Sequence, residues 1–363
     1  MKVGLLLQFQ GRNNMSDADM YREELKLALE AEAMGFDRVM AVEHHFTNYA
    51  MCPDNAQFLS FVAARTSEIE LMPAAFILPW NDPIRVAEKA VMLDHLSEGR
   101  AALGMGRGLA RREFAAFGVD MAESRDRYDE AAAMIVDALE SGVIKGDGPY
   151  YPQPPAEIRP RPLESFKGRS YMVGGSPGSL VTAAELDLGV MQFGTGATQE
   201  ALDIWNGYRD AYKERQKAEP LPLMTADLIV CNRNAKKAEE QARQYQADYW
   251  FLVMNHYELL SHHFEDTKGS YAMYAELADT LRNDKDNASA DAYVDNNLFG
   301  DPAQVIAQLE AKFELFGDLQ LALMPSYADL PYESVWETLK LFADVVLPEI
   351  KSWSPAAAPQ VSA

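Results

Sequence analysis

The chain has 363 residues, 48% of them hydrophobic and 24% charged, enough apolar side chain for one large core. Its 55 acidic and 33 basic residues leave a formal net charge of −22, which excludes a nucleic acid or an anionic membrane surface as a main partner. Cys52 and Cys231 make no disulfide framework and point to a reducing cytoplasm, and no stretch offers the ~18 unbroken apolar residues of a bilayer span.

The apolar run Met1 to Gln8 is too short for a signal sequence's core and reads as a first strand. Ser16 to Asp19 offers an N-cap with an acid three residues on, and the helix it opens runs to about Met34, where Gly35 stops it. A strand over 36–42, a helix over 54–65 and a strand over 69–75 follow. Pro83 suits the first turn of a helix ending near Ser97, and Ala101 to Gly106 is a compact strand closing on small residues. A helix over 124–141 precedes a Pro-, Gly- and Tyr-rich excursion of loops and short hairpins, about 142–168.

The alternation resumes with strands at 170–173 and 190–193, helices at 179–186 and 198–217, a strand at 223–230 and a helix from Ala235 to about Trp250. Residues 255–297 break the rhythm, as a lid over the active-site face or a plain surface insertion. Asp301-Pro302 opens another helix, 319–323 is the last strand and 332–346 the last helix. Eight strand candidates, nearly all separated by helices, predict a (β/α)8 TIM barrel with insertions over residues 1–351, ahead of a doubly wound open sheet. Residues 352–363 read as a disordered tail.

Val42-Glu43-His44-His45-Phe46-Thr47 falls where a buried strand ends, which in a βα-repeat protein is the active-site edge. His is the side chain best matched to proton transfer near neutral pH; a structural role, with ring nitrogens satisfied by carbonyls, is the competing reading. Adjacent strand residues face opposite ways, so His44 and His45 do not easily share a metal, and His95, His256, His262 and His263 lie far off in sequence. No metal is expected. Arg107, Arg111, Arg112, Arg125 and Arg127 concentrate positive charge after the fourth strand, either for an anion or as a solvated face paired with Glu113, Glu123, Asp126 and Asp129. Val173 to Ser179, glycines and serines between a strand and a helix, is a candidate phosphate cradle. Phe46, Phe76, Trp80, Phe193 and Trp250 are candidates for an apolar pocket or for core.

The chain resembles the bacterial luciferase-like flavin monooxygenases, most of all the luciferase α subunit. The residues that carry this are Glu43 to Thr47, Leu78-Pro79 with Asn81 to Pro83, Leu93-Asp94 with Ser97 to Arg100, Gly104 with Arg107 to Leu109, and Phe117 to Met121 with Ser124-Arg125. The resemblance implies a TIM barrel and reduced FMN, with its phosphate near Arg107, Arg125, Ser176 and Ser179. It places the isoalloxazine against Glu43, Ala74, Ala75, Gly106 and Leu109, and Gly175 beside it. It further implies a non-proline cis peptide at Ala74-Ala75, His44 as catalytic histidine with Glu43 or His45 orienting it, and a homodimer through the helices at 54–65 and 83–97. O2 would be co-substrate, a flavin C4a-peroxide the oxidant, an NAD(P)H flavin reductase the supplier, and a small apolar aldehyde or ketone the substrate, with Phe46, Phe193 and Trp250 beside it. Alternatives are a deazaflavin-dependent dehydrogenase of the same fold and a non-catalytic flavin-binding partner subunit. Gly106 stands where luciferase α has a reactive cysteine and Gly175 where it has an acid, so light emission does not follow.

Overall fold

The computed structural model describes residues 1–353 except 268, 270, 285 and 286. Twelve strands occur among these residues: β1 (Lys2–Leu7), β2 (Arg38–Ala41), β3 (Glu70–Pro73), β4 (Phe76–Ile77), β5 (Leu103–Gly106), β6 (Val143–Gly146), β7 (Gln153–Glu157), β8 (Ser170–Val173), β9 (Gly189–Phe193), β10 (Leu223–Cys231), β11 (Leu298–Gly300) and β12 (Leu319–Met324). The main sheet runs β3-β2-β1-β12-β10-β9-β8-β5-β4, and every pairing in it is parallel.

The ring closes where Leu71 pairs with Ala101: the Leu71 N–H donates to the Arg100 carbonyl at 3.0 Å and the Ala102 N–H to the Leu71 carbonyl at 2.9 Å. β3 and β4 are two halves of one barrel strand on either side of a cis peptide between Ala74 and Ala75, so the closed sheet is a (β/α)8 TIM barrel. Every residue of β10 is buried, as a parallel strand covered on both faces requires.

The helices start where sequence chemistry dictates. Ser16, Asp54 and Asp82 each accept a backbone N–H from the first turn of the helices Asp17–Ala33, Asn55–Ala63 and Pro83–Leu96. Asp301 and Gln304 form a reciprocal capping box at the helix Pro302–Phe316. The 142–168 excursion contains the antiparallel hairpin β6–β7.

Several elements depart from expectation. A helix at Arg111–Phe117 follows β5, an element absent from the alternation read in the sequence. Residues 255–297 hold the helices Ala272–Arg282 and Ala288–Asp295; the first packs in a small hydrophobic cluster with Phe114, Met121, Leu259, Phe264, Tyr271 and Leu281, while Tyr293 of the second packs on the main core. β11 extends the sheet beside β10; at three residues it is too short for a periodic signal. The helix expected to end near Trp250 continues through a π segment to His256, and the last helix continues to Ser352. Of the tail read as disordered, residues 354–363 lie outside the described residues. No helix among the described residues is long and apolar enough to cross a membrane.

Candidate active site

The C-terminal ends of the strands open into a cavity of about 340 Å³. Its floor is built by Gln8, by Val42 to His44 after β2, by Ala74 and Ala75, by Gly106 to Leu109 after β5, and by Val173 to Ser176 after β8. Its roof is aromatic, with Tyr249, Trp250, Tyr257, Tyr271, Tyr274 and Tyr293, all from the long helix after β10 and the segment that follows it.

One end is acid–base in character. The His44 backbone N–H donates to the Cys52 carbonyl at 3.2 Å, which fixes the turn after β2. Its ring Nδ1 lies 3.1 Å from Glu113 Oε1, and Tyr257 Oη lies 3.2 Å from its Nε2. Burial, then neighbours including Tyr249 and Glu113, raise the Tyr257 pKa well above its ordinary value, so the phenol keeps its proton, and it is the donor to Nε2 in the tautomer that turns Nδ1–H toward the Glu113 carboxylate. Glu113 is 1% exposed; its Oε1 also accepts the His45 backbone N–H at 2.7 Å.

His256 completes this end. Its ring stacks on Tyr49 with centroids 4.3 Å apart and crosses His44 at 4.9 Å. Its Nε2 lies 3.7 Å from Glu113 Oε1. Burial, then His44 and the Arg112 guanidinium, push its pKa down to about 2, so it stays neutral and the contact with Glu113 is no ion pair.

The other end is cationic. Arg125 donates to Ser176 Oγ at 3.1 Å and to Ser179 Oγ at 2.8 Å, in front of the helix Pro177–Glu185. Its Nη1 is buried with no hydrogen bond, and Asp129 Oδ1 stands 3.5 Å off. Arg107 is 7% exposed, with its guanidinium 3.9 Å from the Tyr271 ring centroid. Burial, with Arg125 as a like charge, lowers the Arg107 pKa. Two guanidiniums, two hydroxyls and the amides of a helix start are the donor set of a phosphate site. Between the ends, a Cβ on Gly106 would lie 3.1 Å from Ile77 Cδ1 and 3.3 Å from Ala75 Cβ; a side chain there would fill space that a flat ring system needs. The donor set and the small residues beside it are chemically compatible with a phosphate-bearing flavin of the kind the resemblance implies.

Most of the residues singled out from the sequence meet at this cavity: Glu43, His44, Ala74, Ala75, Gly106, Arg107, Leu109, Gly175, Ser176, Ser179, Phe193 and Trp250 all line it. The two histidines part company. His45 turns away to Phe117, 4.8 Å between centroids, and is not among the lining residues; as read from strand alternation, its face is the opposite one. Glu43 is engaged by the Ile77 N–H at 3.2 Å, the Trp80 indole at 2.8 Å and Asn81 at 2.9 Å, so it braces the loop after β4. Phe46, expected beside the substrate, is 64% exposed and packs on Phe117 outside the cavity. Phe76 is core at 1% exposure. Arg111 pairs with Glu258, Arg112 donates to the Asn255 carbonyl and Arg127 pairs with Glu123; Arg107 lines the cavity, and Arg125, not itself among the lining residues, bonds to Ser176 and Ser179, which are.

Sequence reasoning missed Glu113, His256, Tyr257 and the tyrosine roof. Glu113 was in view only as a partner for arginines. The long helix after β10 carries no motif, and its histidine meets Glu113 only once the chain is folded.

Comparison with known proteins gives a consistent result. A family model described as luciferase-like monooxygenase matches residues 1–319. The alkanal monooxygenase alpha chain of the Kryptophanaron alfredi symbiont is 22% identical over 363 residues, covering 98% of this chain and 99% of that one. Among solved structures, monooxygenase RslO1 from Streptomyces bottropensis is 26% identical with a TM-score of 0.78, covering 96% of this chain and 100% of that one. The oxygenating constituent of 3,6-diketocamphane monooxygenase of Pseudomonas putida, a type II Baeyer-Villiger monooxygenase in complex with FMN, has a TM-score of 0.73 at 20% identity, covering 96% and 99%; it shares the fold.

Proposed function

Since the chain belongs to the luciferase-like monooxygenase family, we propose that it is the oxygenating half of a two-component system. It takes reduced FMN from a separate NAD(P)H-dependent flavin reductase and, with O2, oxidises a small apolar aldehyde to an acid or a ketone to an ester. Residues 1–351 act as one catalytic unit, and two free buried cysteines suit a reducing cytoplasm. The observation that carries the reading is one cavity with a proton-handling His44–Glu113–Tyr257 group at one end and an Arg125–Ser176–Ser179 cradle with Arg107 at the other.

Reduced FMN supplies, with O2, the oxygen atom that enters the substrate. The chain's own residues bind, orient and keep water out. The cradle and Arg107 would hold the flavin phosphate, and Ala74, Ala75 and Gly106 would leave room for the ring. The tyrosine roof and Leu109 close the cavity over an apolar substrate. Glu113 holds the His44 Nδ1–H and so presents Nε2, through or beside the Tyr257 hydroxyl, to an oxygen that gains or loses a proton.

The test supplies reduced FMN and labelled O2 with a panel of aldehydes and cyclic ketones, and measures label in the acid or ester. The wild-type protein is expected to place one labelled oxygen in product per flavin oxidised. His44→Ala should bind reduced FMN equally well yet form product at least about a hundredfold more slowly, the usual scale for a lost general acid or base. Turnover with a reduced deazaflavin and none with reduced FMN would overturn the reading, as would full activity in a stable His44→Ala protein.

A further inference from the structure

His44, Glu113 and His256 offer one ligand atom each, and the three atoms lie within 4.8 Å of one another. His44 Nδ1 is 3.1 Å and His256 Nε2 is 3.7 Å from Glu113 Oε1. Tetrahedral coordination at zinc–ligand distances of about 2.0–2.2 Å sets neighbouring ligand atoms roughly 3.4 Å apart, a value the two separations bracket. His256 Nε2 is a buried atom with no hydrogen bond on a residue 2% exposed, and it faces the carboxylate from beyond bonding distance. Either tautomer leaves it unpartnered, which a cation in the gap would remedy.

The surroundings complete what a metal site needs. His256 Nδ1 lies 3.0 Å from Thr47 Oγ1, and His44 Nε2 lies 3.2 Å from Tyr257 Oη, so each far nitrogen has a hydroxyl to fix ring and tautomer. The carboxylate is oriented by the His45 N–H. No Lys or Arg ion pair with Glu113 occurs among the described residues; its charged-type contacts are the two histidines. A second cavity reaches His256 and Thr47 from outside, with Asp248, Asp329 and the Arg112 guanidinium in its wall.

We infer that His44, Glu113 and His256 form a binding site for a single borderline divalent cation of the zinc or cobalt type. Two imidazoles and one carboxylate suit these ions better than magnesium or calcium. The site goes beyond the oxygenation reading: a bound ion would occupy the His44 nitrogen now held by Glu113, giving the protein a metal-bound state distinct from its proton-handling one.

The experiment uses the full chain, freed of metal with a chelator and without flavin, so that it is decided separately from the oxygenation reading. Co(II) is titrated in and followed by visible absorption and by equilibrium dialysis. One Co(II) per chain with bands of a four- or five-coordinate nitrogen–oxygen site is expected, displaced by Zn(II) and not by Mg(II). His256→Ala and Glu113→Gln should each weaken binding by more than about a hundredfold, beyond the usual loss for an outer partner. Thr47→Val keeps all three ligands and should weaken it by about ten- to a hundredfold, so the result does not hang on either ligand variant folding. No binding at about millimolar Co(II), or binding unchanged in the variants, an adventitious ion only, would overturn the inference.

Discussion

Arg107 shows how a single buried charge separates binding from packing. It is 7% exposed, its pKa is lowered by burial and by the Arg125 charge, and its guanidinium lies over Tyr271. It lines the cavity together with Ser176 and Ser179, where a guanidinium can add a charge-assisted bond to the phosphate that reduced FMN would bring. Arg107→Ala should weaken reduced FMN about ten- to a hundredfold while hardly changing reduced riboflavin, measured by anaerobic fluorescence titration. Equal losses for both flavins would make Arg107 structural. At this scale the sequence was legible wherever a side chain's neighbours in sequence are also its neighbours in space. Arg107 sits between glycines in a strand-end loop, and both features can be read directly. Glu113 could be read only as one more acid beside arginines, because its partners His44 and His256 are 69 and 143 positions away. Phe46 was misplaced because its backbone takes a positive φ of 65°, which turns the ring out of the direction that strand alternation would give.

At the scale of elements, strands and helices with clear caps were legible nearly to the residue, because capping and periodicity are local. The helix Arg111–Phe117 was not, since its N-cap Ala110 makes no side-chain hydrogen bond. The helix Ala272–Arg282 gains its burial from a satellite cluster that includes Phe114 and Met121 from much earlier in the chain, information that no local window holds. Junctions between elements carry their own electrostatics. Glu32, near the end of the helix Asp17–Ala33, accepts the backbone N–H groups of Ser67, Glu68 and Ile69 ahead of β3. Burial acts to raise its pKa, yet those N–H groups and the Ser67 hydroxyl hold it down to about 2. A depressed carboxylate pKa adds stability above the unfolded-state value, near 4.5, and loses it as pH falls through about 2. Glu32→Gln should therefore lower Tm by about 1–2 °C at pH 7, the group being partly exposed. Calorimetry from pH 7 to pH 3 should show that gap shrink; a constant gap would mean that the carboxylate's charge plays no part in this junction.

At the scale of the whole molecule, closure of the barrel leaves several large apolar side chains in water, three of them on two adjacent helices. On the helices at 54–65 and 83–97, which the resemblance implies as the seam of a homodimer, the apolar candidates for contact are Phe58, Phe61, Val86 and Val91. The structure sends Val86 and Val91 into the core, at 1% and 0% exposure, because the helix Pro83–Leu96 has to cover the strands beneath it. Phe58 is half-buried against the same core. The apolar side chains left in water on these two helices are Phe61 at 45%, Met92 at 53% and Leu96 at 52% exposure. Three large exposed apolar groups on adjacent helices are more than scattered surface apolarity and suit an isologous contact, in which each copy offers the same patch. A stable dimer needs about 800 Å² from each partner, so the patch would be the centre of the interface and the polar helix faces its rim. We expect a homodimer at micromolar concentration in sedimentation. Met92→Glu with Leu96→Glu should turn it into a monomer whose cavity still binds reduced FMN, since neither side chain reaches the strand ends that line it. A wild-type monomer, or a double variant that stays dimeric, would move the interface off these helices. Tm of the wild type should also rise with protein concentration, and that of the double variant should not.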